Sequence, residues 1–150
     1  MRKAVTEMPS ELVQIDRDKL KAYVEEKAGQ YSEIAGIYLF GSAICAMRPD
    51  SDIDLGIILV PDAVKPDKEV DLFLAKLYLA LRNFEGHPFD LVSVCDVDTV
   101  FAFAILRRGV PLLVKNEAVV SKVIESISRR YADIYPRYKK ALEMITGVNL

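Results

Sequence analysis

The sequence predicts an α/β or α+β domain, a sheet with helices packed on it and a helical C-terminal tail. Three observations predict it. Short apolar runs rich in isoleucine and valine stop at Gly, Pro or Asp; longer segments repeat apolar residues every three or four positions; and the two kinds alternate along the chain. A length of 150 residues with 51% hydrophobic and 28% charged composition suits one domain over residues 1–150, with a core over about 34–115 and a tail over about 117–147.

The first element is a helix in DRDKLKAYVEEKAG, with Asp16 as its cap and Leu20, Tyr23, Val24 and Ala28 at helical spacing. EIAGIYLF, Glu33 to Phe40, is apolar and aromatic and ends at a glycine, so it reads as a buried strand delivering the chain to Gly41 and Ser42. A short helix is expected from Ala43 to Met47, stopped ahead of Pro49. DIDLGIILV then reads as a strand with Ile53, Leu55, Ile57 and Leu59 on one face and Asp52, Asp54, Gly56, Ile58 and Val60 on the other.

PDAVKPD is a proline-bearing loop, after which Val70, Phe73, Leu77, Leu81 and Phe84 mark a helix closed by Gly86. FDLVSVC, Phe89 to Cys95, is a strand; DVDTVFAFAILRRG is a helix capped by Asp96 or Asp98 and ended by Gly109; VPLLV is a short strand. The tail carries Val119, Val123, Ile124, Ile127, Tyr131, Ile134 and Tyr135 on one stripe before Pro136, which is expected to break or kink it.

A net charge of −2 gives no general footprint for nucleic acid. Cys45 and Cys95 form no CxxC pair and have no histidine cluster near them, which fits a reducing cytoplasm; they read as small apolar fillers. The N-terminal stretch is too polar for a signal peptide, and no apolar run approaches the roughly 20 residues that span a bilayer, so no membrane partner is expected. His87, the only histidine, reads as a surface turn residue without a catalytic role. Arg107 and Arg108 suit the end of a helix dipole, and Arg129, Arg130, Lys139 and Lys140 a solvated face, though such pairs could receive an acidic partner; Tyr131, Tyr135 and Tyr138 read as packing or as a partner surface.

The chemistry is concentrated in FGSAICAMRPDSDIDLGIILV, where Asp50, Asp52 and Asp54 abut an apolar run. A carboxylate there loses water unless a cation or donors replace it. An EF-hand loop is excluded, because counting from Asp50 its glycine and glutamate positions hold Leu55 and Pro61. Two aspartates two apart could simply line an exposed sheet edge. Here, however, Gly41 and Ser42 precede them with backbone N–H groups suited to phosphate, and Asp90 enters a later strand between apolar flanks. If the two strands are neighbours, Asp52, Asp54 and Asp90 converge and repel one another unless magnesium or manganese binds them. A pair of such ions can activate an attacking oxygen and stabilise a departing pyrophosphate.

FGS, SDIDL and the later FDLV together resemble the nucleotidyltransferase superfamily of DNA polymerase β, in its minimal form (MNT), over about Ile34 to Cys95. The tail from ILRRG onward is similar to that of MNT antitoxins that accompany HEPN-domain ribonuclease toxins. The resemblance implies the polymerase β-like fold with a small mixed sheet, and transfer of AMP from ATP to a tyrosine of the toxin, as a type VII-like antitoxin. It implies that Gly41, Ser42 and Ser51 hold the nucleotide and that Asp52, Asp54 and Asp90 are the catalytic and metal-binding residues, for two Mg2+ or Mn2+ ions. It also implies that Asp90 helps deprotonate the acceptor. The implied partners are ATP and a HEPN toxin, with a homo- or hetero-oligomer possible. Many members carry an arginine near position 43 or 45 and a glycine at 46, where this chain has Ala43, Cys45 and Ala46. Two alternatives stay open: neutralisation of the toxin by binding alone, and transfer to a small hydroxylated molecule such as an aminoglycoside.

Overall fold

The computed structural model describes residues 11–65 and 68–149, so the first ten residues, two of the PDAVKPD loop and the last residue lie outside the description. The elements are α1 (Arg17–Ala28), β1 (Ile34–Phe40), a single 3₁₀ turn (Gly41–Ile44), β2 (Ile53–Leu59), α2 (Lys68–Leu81), β3 (Asn83–Phe84), β4 (His87–Ser93), α3 (Thr99–Arg108), β5 (Val110–Val114) and α4 (Glu117–Thr146). The five strands form one mixed sheet in the order β3-β4-β2-β1-β5. Only β2 and β4 run parallel, as expected for strands joined through a crossover helix, here α2.

Side-chain alternation on β1 and β2 divides the core into two layers. Ile37, Leu39, Ile53, Leu55 and Ile57 bury against Leu20 and Val24 of α1 and Phe73 and Leu77 of α2. On the opposite face Tyr38 and Ile58 bury against Ala102 and Ile105 of α3 and Val120 and Ile127 of α4. Gly56 lies on this second face, and a Cβ there would come within 2.9 Å of Ile105 Cγ2 and 3.0 Å of Val94 Cγ2. Its bare backbone lets α3 lie close to the sheet, beside the aspartates two residues earlier on β2.

The caps follow the sequence. Asp16 accepts from the backbone N–H of Asp18 and Lys19, and Asp98, rather than Asp96, accepts from Phe101 at the start of α3. Four expectations are corrected. The segment after Ser42 forms the 3₁₀ turn instead of a helix from Ala43 to Met47, and Met47 pairs with Val13 through two backbone hydrogen bonds of 2.8 and 2.9 Å. Helix α2 stops at Leu81, because Arg82 turns to φ 57° and Phe84 joins β3. Glu85 and Gly86, both at positive φ, form the two-residue hairpin turn to β4 that the helical spacing of Phe84 concealed.

Pro136 lies inside α4 without ending it. Its surroundings are exposed, so the carbonyl that loses its helical partner remains open to water. Finally, Cys45 and Cys95 are exposed rather than buried fillers. No helix among the described residues is long and apolar enough to cross a membrane.

Candidate active site

The site is assembled where β1 ends and β2 begins. The antiparallel register sets Phe40 opposite Asp54, and the parallel register sets Asp54 beside Asp90 on the same face of the sheet. The chain leaves β1 through Gly41 at φ 78°, a left-handed conformation that favours glycine. A Cβ at this position would overlap Oδ2 of Asp54, so the Gly41 backbone and the Asp54 carboxyl are in direct apposition. Gly41 and Ser42 are exposed at the start of the 3₁₀ turn, and Ala43 is buried beneath it.

Asp52 precedes the first residue of β2 and is exposed, Asp54 is half-buried, and Asp90 is exposed. The Asp54 carboxyl is pushed up to about 6, first by the loss of water on burial and then by the negative charges of Asp90 and Asp52. All three aspartates therefore act on one locus. Asp50 instead lies 3.4 Å from Arg48 in an exposed ion pair.

Among the described residues no three His, Cys, Asp or Glu side chains close into a group that could hold a metal ion. The donor chemistry nevertheless fits a hard divalent cation. The set is carboxylate oxygen alone, and its most buried member is destabilised as an anion by its two neighbours, the imbalance that a cation corrects.

Two contributors escaped the sequence reading. His87 is a buried residue at the start of β4, not a surface turn residue, and its Nδ1 lies 3.0 Å from the carbonyl oxygen of Ser51. With Nδ1 protonated it donates to that carbonyl and ties the half-buried Ser51, and with it the approach to Asp52, to β4. Its place after a Glu-Gly turn was the available signal, since a hairpin turn puts the next residue into a strand. The second is Arg108. It shares a cavity of about 380 Å³ with Phe40, Gly41, Ile44 and Phe101, in which Phe40 and Phe101 meet edge to face at 5.6 Å between ring centres. No local pattern could have placed it there, because the contact depends on how α3 crosses the sheet.

Known proteins with the same architecture can be set beside this geometry. No curated protein matches the chain. Among solved structures, a chain of the toxin–antitoxin pair MntA-HpeT, in a variant with two aspartates changed to glutamate, is 18% identical. That match covers 85% of this chain and 99% of the other, with a TM-score of 0.53. A toxin–antitoxin structure with AMP-PNP is 19% identical over the same shares, 85% and 99%, with a TM-score of 0.52. At these identities the two share its fold. The sequence itself matches the family model described as polymerase beta, nucleotidyltransferase, over residues 19–118, from α1 to the first turn of α4. The match takes in Gly41, Ser42 and all three aspartates of the site, and the chain belongs to the polymerase beta nucleotidyltransferase family.

Proposed function

We propose that this protein transfers AMP from ATP to a tyrosine of a HEPN ribonuclease toxin and thereby acts as its antitoxin. The observation that carries the reading is the lateral pairing of Asp54 with Asp90 against the bare backbone of Gly41, with Asp52 close enough to raise the same carboxyl. The fold shared with a toxin–antitoxin structure containing AMP-PNP supports the choice of nucleotide and partner.

In this reading Asp52, Asp54 and Asp90 would hold Mg2+, or Mn2+ in its place. Such ions supply Lewis acidity to the phosphate oxygens and acidity to an attacking hydroxyl. The exposed N–H groups of Gly41 and Ser42 would donate to phosphate oxygens, and Ser51, fixed through His87, would border the nucleotide. The tyrosine oxygen forms the new bond to the α-phosphorus as the bond from that phosphorus to the pyrophosphate oxygen breaks, and Asp90 takes the hydroxyl proton.

The test is incubation with ATP labelled at the α-phosphate, Mg2+ and a co-expressed HEPN-domain toxin. Label on a toxin tyrosine is expected. An unlabelled toxin that is still neutralised by Asp52→Asn overturns the reading in favour of neutralisation by binding alone. That second reading is motivated by Ala43, Cys45 and Ala46, which leave the segment from the 3₁₀ turn onward without the arginine and glycine that many members of the resembled family carry.

The same carboxyl sets a pH dependence. Asp54 holds its proton up to about 6, so metal and proton compete for it. Mn2+ affinity of the nucleotide-free protein should fall about tenfold between pH 7 and pH 5, as the ionised fraction of a group titrating near 6 does. Calorimetric titration of Mn2+ at the two pH values checks this, and an unchanged affinity would contradict it.

A further inference from the structure

We propose that the groove between α3 and α4 is the docking site of the acceptor polypeptide, and that the segment it receives is acidic and bears aromatic side chains. This rests on the transfer reading above and adds where, and by what chemistry, the acceptor is recognised.

The groove encloses about 530 Å³ and is lined by Phe103, Arg107, Arg108, Tyr131, Tyr135 and Tyr138. Phe103 and Tyr131 stack face to face at 3.9 Å with their planes 2° apart, and Tyr135 continues the row at 5.6 Å from Tyr131. The aromatic wall is thus fixed by packing between the two helices. Its outer members remain open, with Tyr135 at 42% and Tyr138 at 41% exposure. The Arg107 guanidinium lies 6.0 Å from the centre of the Phe103 ring. Among the described residues neither Arg107 nor Arg108 enters an ion pair, and both are exposed.

Two unneutralised guanidinium groups beside exposed tyrosine faces are complementary to carboxylates and aromatic rings. They are a poor match for nucleic acid. Tracking a phosphate backbone takes a longer row of cations, and this chain has a net charge of −2.

The position of the groove favours an acceptor over an unrelated partner. Ala104 and Arg108 line both this groove and the cavity that contains Gly41, and Gly41 is apposed to Asp54. A chain lying along α3 therefore passes Arg108 before it reaches the carboxylates. The buried residues of α4, Val120 and Ile127, both precede Tyr131, so the stretch that carries Tyr135 and Tyr138 on the outer wall is not buried against the sheet.

The test uses a fluorescent random copolymer of glutamate and tyrosine as the probe, with its binding to the full chain read by anisotropy in the absence of nucleotide. The wild-type chain is expected to bind it, and Arg107→Glu combined with Arg108→Glu to weaken binding by roughly tenfold or more. Tyr135→Ala, which keeps the charge, should weaken it by several-fold. Arg129→Glu, a charge reversal elsewhere on α4, should leave it unchanged, and thermal melts confirm that each variant is folded. Absence of binding by the wild type, or equal binding by the doubly reversed variant, overturns the proposal. Tighter binding of a single-stranded RNA oligonucleotide that the double reversal abolishes also overturns it and gives the groove to nucleic acid. Because no nucleotide is present, a failure of AMP transfer with copolymer binding intact strikes the catalytic reading and not the groove.

Discussion

Asp54→Asn is expected to lose nucleotidyl transfer by about a thousandfold or more while making the metal-free protein more stable. The activity term follows from the proposed role of the carboxylate set: with a cation held there, removing its central donor would forfeit metal-ion stabilisation of transferred charge, which amounts to several kcal/mol. The stability term has the opposite sign from that of an ordinary buried substitution. Asp54 in the folded chain binds its proton more tightly than an unperturbed aspartate, with its carboxyl near 6 instead of 3.8. The folded state therefore carries more protons than the unfolded state between these values, and stability falls as pH rises from 3.8 through about 6. Above that range the anion is held beside Asp90 and Asp52 at a cost that asparagine does not incur. Thermal melts in chelator at pH 5 and pH 7.5 check the sign: the advantage of the variant should grow with pH. A variant less stable than wild type at pH 7.5 would show that the Asp54 carboxylate is satisfied in the metal-free fold.

Gly41→Ala is expected to be the second severe change, and Gly86→Ala separates its two causes. Both glycines have positive φ, 78° and 84°, so alanine at either strains the backbone by about 1 to 2 kcal/mol. Their surroundings differ. A Cβ at Gly41 overlaps the Asp54 carboxyl, whereas a Cβ at Gly86 meets nothing within 4 Å. Both variants should melt earlier, Gly41→Ala by at least as much as Gly86→Ala. Gly41→Ala should in addition lose transfer by about a hundredfold, the order expected when a reacting group is displaced by an ångström, while Gly86→Ala keeps it. Equal activities in the two variants would mean that the contact between Gly41 and Asp54 has no part in the chemistry.

The contrast between these glycines also shows what was legible in the sequence. The acidic cluster could be read because Asp52, Asp54 and Asp90 interrupt apolar runs, where a charge without compensation is costly. The two strands that carry them could be read from their alternation, whereas the register that sets Asp54 beside Asp90 is seen only in the structure. Other features depended on turn chemistry or on distant packing. Phe84 continues the three-residue spacing from Leu81, so only the positive φ of Arg82, Glu85 and Gly86 reveals that the helix has already ended. The same hidden hairpin made His87 look like a loop residue when it is buried and bonded to Ser51. Arg108 is far from Gly41 in sequence and reaches its cavity because Gly56 allows α3 to settle close to the sheet.

Pro136 illustrates a local rule outweighed by its context. A proline interrupts one helical hydrogen bond, but in an exposed stretch water satisfies the released carbonyl, and the helix continues beyond it to Thr146. The same exposure is what leaves Tyr135 and Tyr138 on the outer wall of the groove.

The most direct test of the account is crystallographic. Crystals of the protein grown with Mn2+ and a non-hydrolysable ATP analogue should show an anomalous peak bonded by the carboxylates of Asp54 and Asp90, with the phosphates of the analogue running toward Gly41 and Ser42. A bound analogue whose Mn2+ lies away from both carboxylates would contradict the assignment of this sheet face as the catalytic centre.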